Sequence, residues 1–396
     1  MQSSQSGARP GLVMLALAMG GFAIGVAEFA TMSILPFFSA DFGVSEAEAG
    51  HAISAYALGV CVGAPLVALL SARVPRRTLL VALMAYYAVV NGSSALMPGW
   101  GGFATSRFFA GLPHGAYFGV AGLMAASLVA REKRAQAVAR VMLGLTVATV
   151  LGVPLANVFG AVLGWRWSFA IVTILAATCA IMVHLLAPRL PVAADASPMR
   201  ELATLKRRQV WLTLAIGSIG SGGMFCIYTY LASVIMQHAG GSAAVVPIML
   251  MVFGVGMTAG QFICGWAADK SIMGAAAGAL AVNAVMMVAF WAVAGNLWLM
   301  APVLLVIGIT GGLSTILQTR LMDLASDAPT LSAALNHSAF NVANALGPWL
   351  GGLALMAGAG WPSIGLVGLG LSLAGLVIWG IAMLDDAPRR RGIPAG

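Results

Sequence analysis

The chain has 396 residues, of which 60% are hydrophobic and only 8% charged, with a formal net charge of +8. A soluble protein of this length needs about a quarter of its residues charged to cover its surface, so the composition excludes that class and defines an integral membrane protein. The positive balance is concentrated in one set of connections between apolar runs, which excludes nucleic-acid binding as its origin.

Apolar runs of about 19 to 27 residues, each the length a helix needs to cross the hydrocarbon core, recur along the chain. In order they fall at 12–38, 49–70, 79–97, 103–129, 138–163, 165–187, 211–236, 244–268, 272–294, 297–319, 332–357 and 363–384. The expected fold is therefore an all-α membrane protein of twelve spans. The first run is too long for a signal peptide and has no clear small-residue cleavage site, so it is expected to be retained.

That first run carries Glu28 near its middle. An acid at the centre of a spanning helix costs about 2.5 to 3.5 kcal/mol on insertion scales, which marks it as functional by default. A carboxyl group removed from water holds a proton more readily, so Glu28 is expected to load and release one across a transport cycle.

Arginine and lysine set the orientation. Arg73, Arg76, Arg77, Arg131, Lys133, Arg134, Arg140, Arg189, Arg200, Lys206, Arg207, Arg208, Lys270 and Arg320 fall in alternate connections, with Arg9 and Arg389 to Arg391 at the ends. The other connections hold only Arg166, and the one between runs 1 and 2 is acidic. This is the positive-inside bias, with both termini cytoplasmic. Cys61, Cys179, Cys226 and Cys264 fall in four different runs without ligand spacing, so neither a disulfide framework, a metal site nor a cofactor is expected.

The chain reads as a duplicated half. A cytoplasmic connection at 188–208, rich in Pro, Ala and charge, separates residues 1–187, a six-helix bundle, from residues 209–396, a second bundle with a short basic tail. Run 2 aligns without gaps on run 8, matching Gly59 to Gly256 and Gly63 to Gly260, while run 5 aligns on run 11, matching Ala148 to Ala343 and Gly152 to Gly347. Small residues at every fourth position from Gly144 to Gly164, and again from Ala339 to Gly351, form ridges for close helix contact. Such ridges are expected to act as surfaces on which the halves rock.

The segments GVAEFATMSILP, AGHAISAYALGVCVGAP, RFFAGLPHGAYFGV, GLTVATVLGVPLANVFGAVLGWRWSF and LNHSAFNVANALG resemble the arabinose efflux permease group, in the drug and sugar proton-antiporter branch of the major facilitator superfamily. The resemblance covers all twelve runs. It implies two six-helix bundles with substrate bound between them, a proton-coupling role for Arg107 in RFFAG, and antiporter character for the run from Gly144 to Gly160. The aspartate of the superfamily's loop between spans 2 and 3 is absent beside Arg73, whereas Asp269 and Lys270 retain its second-half counterpart. An inner gate resting on Asp269, Lys270 and Arg73 is accordingly expected to lean on the second half.

Run 11 carries the sharpest polar stripe: His337, Asn341 and Asn344 at i, i+4 and i+7 share one helix face that lipid would penalise. Thr146 and Thr149 are the run 5 counterparts of the two asparagines. With Tyr56, His114, Tyr117, Asn157, Tyr228, Tyr230 and Gln318 they are the candidate lining of a central cavity; for each, interhelical hydrogen bonding or an interfacial position is the competing reading. Arg107 has a competing reading too, as a side chain snorkelling to the outer interface.

The sequence thus describes a monomeric, multi-pass transporter of the bacterial inner membrane whose partners are a small molecule, protons and the lipid bilayer, with no nucleic acid. One embedded acid and few embedded cations suit a neutral polar solute exported against protons, a sugar first, then a nucleoside or a moderately polar antibiotic such as chloramphenicol. The alternatives are a proton-coupled importer and, from another class, a sensor or enzyme on the same scaffold. Enzyme chemistry would require paired carboxylates, a metal cluster or a nucleophile with its base inside the runs, and none is found.

Overall fold

A computed structural model describes residues 9–71, 74–130, 133–189, 203–324 and 329–391. Those residues are built from helices joined by short turns. In the first half of the chain these are α1 (Pro10–Ser33), α2 (Leu35–Phe42), α3 (Glu46–Ala49), α4 (His51–Ser71), α5 (Arg76–Leu96), α6 (Trp100–Gly111), α7 (His114–Ser127), α8 (Arg134–Val147), α9 (Val153–Leu163) and α10 (Arg166–Leu186). The second half contains α11 (Arg208–Gly220), α12 (Gly222–Ser233), α13 (Val246–Lys270), α14 (Ile272–Val293), α15 (Leu297–Thr310), α16 (Leu313–Leu324), α17 (Pro329–Met356) and α18 (Ser363–Arg391). Two π-helical turns, Ala148–Gly152 and Val234–His238, continue α8 into α9 and close α12.

Among the described residues, ten helical segments are long and apolar enough to cross a membrane. In lipid every backbone group must be satisfied within its own segment, which is why the described spans are helical. Several spans are composite, and their breaks have local causes. Pro113 removes an amide donor between α6 and α7, Pro36 follows the break after α1, and glycines at 311 and 312 separate α15 from α16. The chain leaves α2 through Gly43 at φ +66°, a left-handed conformation that glycine adopts without a side-chain clash.

The glycines matched between the halves do equivalent work. A side chain at Gly59 would strike the Phe108 carbonyl and Gly111 on α6, and one at Gly256 would strike Leu305 and Gly308 on α15. The ridge of α8 and α9 behaves otherwise than expected. Gly144 packs on Ala18 and Phe22 of α1, Gly152 on Val26, and Gly160 on Ile34, while Gly347 packs on Gly222 and Cys226 of α12. Both ridges therefore weld helices within their own half of the chain instead of forming surfaces on which the halves slide. Contact between the halves is made elsewhere, by Gly254 of α13 against the Thr149 and Val150 backbone and by α4 against α17.

Those contacts gather toward the face that carries Asp41, Glu46 and Arg166. There Ser54 donates to the Ala345 carbonyl at 2.9 Å, and Gly352 lies against Tyr230 and Ala47. Toward the opposite, basic face, where α8 begins and α13 and α16 end, the halves part around a cavity.

Candidate functional site

The cavity has a volume of about 570 Å³, within the range of small-molecule sites. Its two walls differ. Helix α8 contributes Ala139, Met142, Leu143, Leu145 and Thr146, whereas the second half contributes polar Thr258, Gln261, Ser314, Thr315, Gln318, Thr319, Asn336, His337 and Asn341 interleaved with Met224, Phe225, Met257, Phe262 and Phe340. The α8 wall is mostly apolar, and the facing wall mixes neutral hydrogen-bonding groups with large apolar side chains. Glu28 and Phe29 of α1 and His114 of α7 complete the inner end.

Glu28 sits five residues before the end of the long α1 segment that the sequence places at membrane depth, and only 7% of its surface is exposed. Asn344 of α17 donates from Nδ2 to Glu28 Oε1 at 3.0 Å. This bond joins the first half of the chain to the second. Asn344 Oδ1, Asn341 Oδ1 and the Tyr228 hydroxyl are buried without a hydrogen-bond partner. Orphaned polar groups of this kind carry a desolvation cost, and clustered near one acid they are suited to a polar ligand.

Arg107 is fully buried, so the snorkelling alternative does not hold. Its Nη2 donates to the Ala27 carbonyl at 3.1 Å and its Nη1 to Asn91 Oδ1 at 3.0 Å. The guanidinium carbon lies 4.6 Å from the Tyr56 ring centroid and 5.0 Å from that of Phe169, a cation–π seat that offsets part of its desolvation. Arg107 thereby grips the backbone one residue before Glu28.

Tyr56 is the next link. Its hydroxyl lies 3.0 Å from the Tyr87 hydroxyl and 3.0 Å from His114 Nδ1. The His114 ring faces His337 of α17 at 6.3 Å between centroids, and His337 stacks on Phe118. A hydrogen-bonded chain thus runs from Tyr87 beside Arg107 to an imidazole on the cavity wall.

The remaining candidates divide. Thr146, Gln318, His337 and Asn341 line the cavity. Thr149 turns its hydroxyl back to the Thr146 carbonyl, and Tyr228 is wedged between Phe29 and Phe253 near the inner end. Tyr117, Asn157 and Tyr230 lie apart from the lining, contrary to expectation. Tyr117 donates to the Leu17 carbonyl, Asn157 to the Ser33 carbonyl and Tyr230 to the Pro348 carbonyl. Each is the interhelical bond that the competing reading describes.

At the basic face, Asp269 is exposed and has no ion-pair partner among the described residues, while the Lys270 ammonium rests 3.6 Å from the Trp266 ring centroid. Arg73 lies outside the described residues. Ion pairs at this face join Arg208 to Asp385 and Arg320 to Asp386 within the second half.

Sequence reading passed over several residues of the site. Tyr87 and Asn91 stand at i and i+4 in an otherwise apolar run, and Thr258 and Gln261 at i and i+3 in another; the same polar-stripe signal that marked α17 was present in both.

A polytopic helical protein with a ligand-sized cavity between the two halves of its chain belongs to the class of membrane transporters. The Major Facilitator Superfamily profile matches residues 17–337, and the chain belongs to that superfamily. It is 39% identical over 364 residues to the inner membrane transport protein YdhP of Escherichia coli K12, covering 91% of this chain and 94% of that one. It is 32% identical to a chloramphenicol resistance protein of Streptomyces lividans, covering 85% and 87%. The fold is also that of a D-xylose-proton symporter crystal structure, with a TM-score of 0.69 at 18% identity over 93% of this chain and 97% of that one. The protein is a multi-pass inner-membrane transporter of the efflux-permease group.

Proposed function

We propose that the protein is a proton-coupled exporter working by alternating access. Residues 1–187 and 209–396 form two six-helix bundles joined by the 188–208 connection, with twelve spans, both termini cytoplasmic and the monomer as the working unit. The ten apolar segments support this count, and α4 and α17 supply the other two; the polar side chains that α17 turns to the cavity lower its hydropathy. With the basic face cytoplasmic, the cavity is open inward and sealed outward.

The observation that carries this reading is Glu28 on the cavity wall, hydrogen-bonded to Asn344 of the other half. A proton on Glu28 and the arrangement of the halves then influence each other, which is what exchange of solute for proton requires. Arg107, holding the Ala27 carbonyl, fixes the acid's position. A membrane potential of about 100 mV contributes about 2.3 kcal/mol per charge moved, enough to drive export of a neutral solute against a substantial gradient.

A lining that mixes large apolar side chains with neutral hydrogen-bonding groups favours an amphipathic neutral solute, with a chloramphenicol-like antibiotic or a nucleoside ahead of a free sugar. The name of the Streptomyces lividans relative points the same way. Proteoliposomes loaded against an imposed proton gradient and offered labelled sugars, nucleosides and chloramphenicol test the reading. Export of at least one of them dependent on inward proton flow is expected; accumulation in the same direction as the proton would make the protein an importer.

A further inference from the structure

His114 opens α7 directly after the break at Pro113, and its buried ring stands at the inner end of the cavity. Its Nδ1 lies 3.0 Å from the Tyr56 hydroxyl, which in turn lies 3.0 Å from the Tyr87 hydroxyl. Neither pair fixes its own donor, because a phenol can give or accept and a neutral imidazole nitrogen can do either. The three groups taken together do fix it. All three are buried, and among the described residues the Tyr87 hydroxyl has no hydrogen-bond partner but Tyr56. Were Tyr56 to donate to Tyr87, the Tyr87 proton would be buried without an acceptor, a cost that folded proteins avoid. Tyr87 therefore donates to Tyr56, Tyr56 donates to His114 Nδ1, and the neutral ring carries its proton on Nε2. Arg107 favours the same direction. Its guanidinium bonds Asn91, one turn beyond Tyr87, and a hydroxyl beside a cation turns its oxygen toward the charge and its proton away.

We infer that His114 is a specificity-determining residue: its Nε2–H is a fixed hydrogen-bond donor at the inner end of the cavity, and it selects neutral solutes that bring a carbonyl or nitro oxygen to α7. Tyr56 is the positioning residue behind it. Among the described residues no protein group takes Nε2, and the atom is open to the cavity. His337, the ring facing it across the halves at 6.3 Å between centroids, is stacked on Phe118 and makes no bond to it. The hydroxyls and amides elsewhere in the lining, such as Thr258, Ser314 and Gln318, can turn to give or to accept. His114 differs from them, since its Nε2 can become an acceptor only by undoing the chain to Tyr87. A solute that presents an amine at this point sets donor against donor, and the resulting unpaired groups count against it.

The inference rests on the solute class proposed above, but its first test needs no solute. Nitrogen magnetic resonance of the protein with isotope-labelled histidine separates a protonated ring nitrogen from a bare one, and the His114 signals are those lost in His114→Phe. The parent is expected to show one neutral tautomer, protonated on Nε2, and Tyr56→Phe a mixture of two, because Nδ1 has lost its donor. Equilibrium binding of labelled chloramphenicol and uridine, both of which carry carbonyl oxygens, is then measured on purified protein. His114→Phe is expected to weaken binding about tenfold, as loss of one buried hydrogen bond does. His114→Gln, which restores an N–H donor, should recover part of that loss, and Tyr56→Phe should lie between it and the parent. A parent ring protonated on Nδ1 overturns the inference even if His114→Phe fails to fold. So does a folded His114→Phe variant that binds both solutes as the parent does, or a parent that binds neither. If binding depends on His114 while neither solute is exported against a proton gradient, the contact stands and the exporter reading falls.

Discussion

Asn344 and Glu28, 316 residues apart in the chain, are joined by a 3.0 Å hydrogen bond from Nδ2 to Oε1. The bond crosses the seam between the halves, so the acid's charge and the position of α17 depend on one another. Replacing Glu28 with Gln imitates the protonated acid permanently. Proton-driven uphill export is expected to fall to the background rate, while solute-for-solute exchange continues; the two are separated in proteoliposomes with and without a pH gradient. Uphill export retained in this variant would transfer the coupling role to His114 or His337.

Arg107 serves that acid through the backbone. Lysine in its place keeps a charge but loses the planar fork that reaches both the Ala27 carbonyl and Asn91. The loss of one charge-assisted hydrogen bond at a fully buried position is expected to cost about 1.5 to 3 kcal/mol. Thermal unfolding in detergent measures it, and a variant as stable as the parent would show that the guanidinium geometry is not needed.

The glycine ridges predict a matched pair of defects. A Cβ at Gly144 would fall 2.9 Å from the Phe22 amide nitrogen, and one at Gly347 would fall 2.9 Å from the Cys226 amide nitrogen, each inside its own half. Valine at either is expected to destabilise the protein by about 1 to 3 kcal/mol or more through overpacking. Gly119→Ala, where nothing lies within 4 Å, is the neutral control. Yield of monodisperse protein and unfolding temperature report the difference.

Asp269 is exposed and without an ion-pair partner among the described residues, as an inner lock would be if the basic face is the open one. Asp269→Asn is expected to slow turnover several-fold with solute affinity nearly unchanged, because the residue lies at the edge of the membrane and off the cavity lining. Paired measurement of the transport rate and the half-saturation concentration decides the matter; normal turnover removes Asp269 from the gate.

At the opposite face Arg166 holds the Asp41 carboxyl below its usual range. The folded pKa is depressed, so the stabilisation is fully present above the unfolded value of about 3.9 and is lost as pH falls through the lower folded value. Both side chains are about 40% exposed, and solvent screening limits the pair to at most about 1 kcal/mol. Asp41→Asn should therefore be slightly less stable than the parent at pH 7 and equal to it near pH 2, as followed by thermal unfolding at each pH.

The sequence by itself determined the membrane class, most of the apolar spans and the buried place of Glu28, because each rests on a signal local to one segment: run length, or an acid where lipid should be; the superfamily was legible from its motifs. The stripe of His337, Asn341 and Asn344 was legible for the same reason, since helical periodicity puts those residues on one face before any partner is known. Partners were not legible. Whether a buried tyrosine or asparagine meets the cavity or a neighbouring carbonyl depends on which helix lies across from it, and Tyr117, Asn157 and Tyr230 all turned to carbonyls. The ridge from Gly144 to Gly160 announced close packing but not against which half. Only tertiary structure decided that it binds α1, that Arg107 reaches the Ala27 carbonyl, and that Tyr56 meets His114, because a hydrogen bond between distant residues is fixed by helix placement and leaves no periodic trace in the chain.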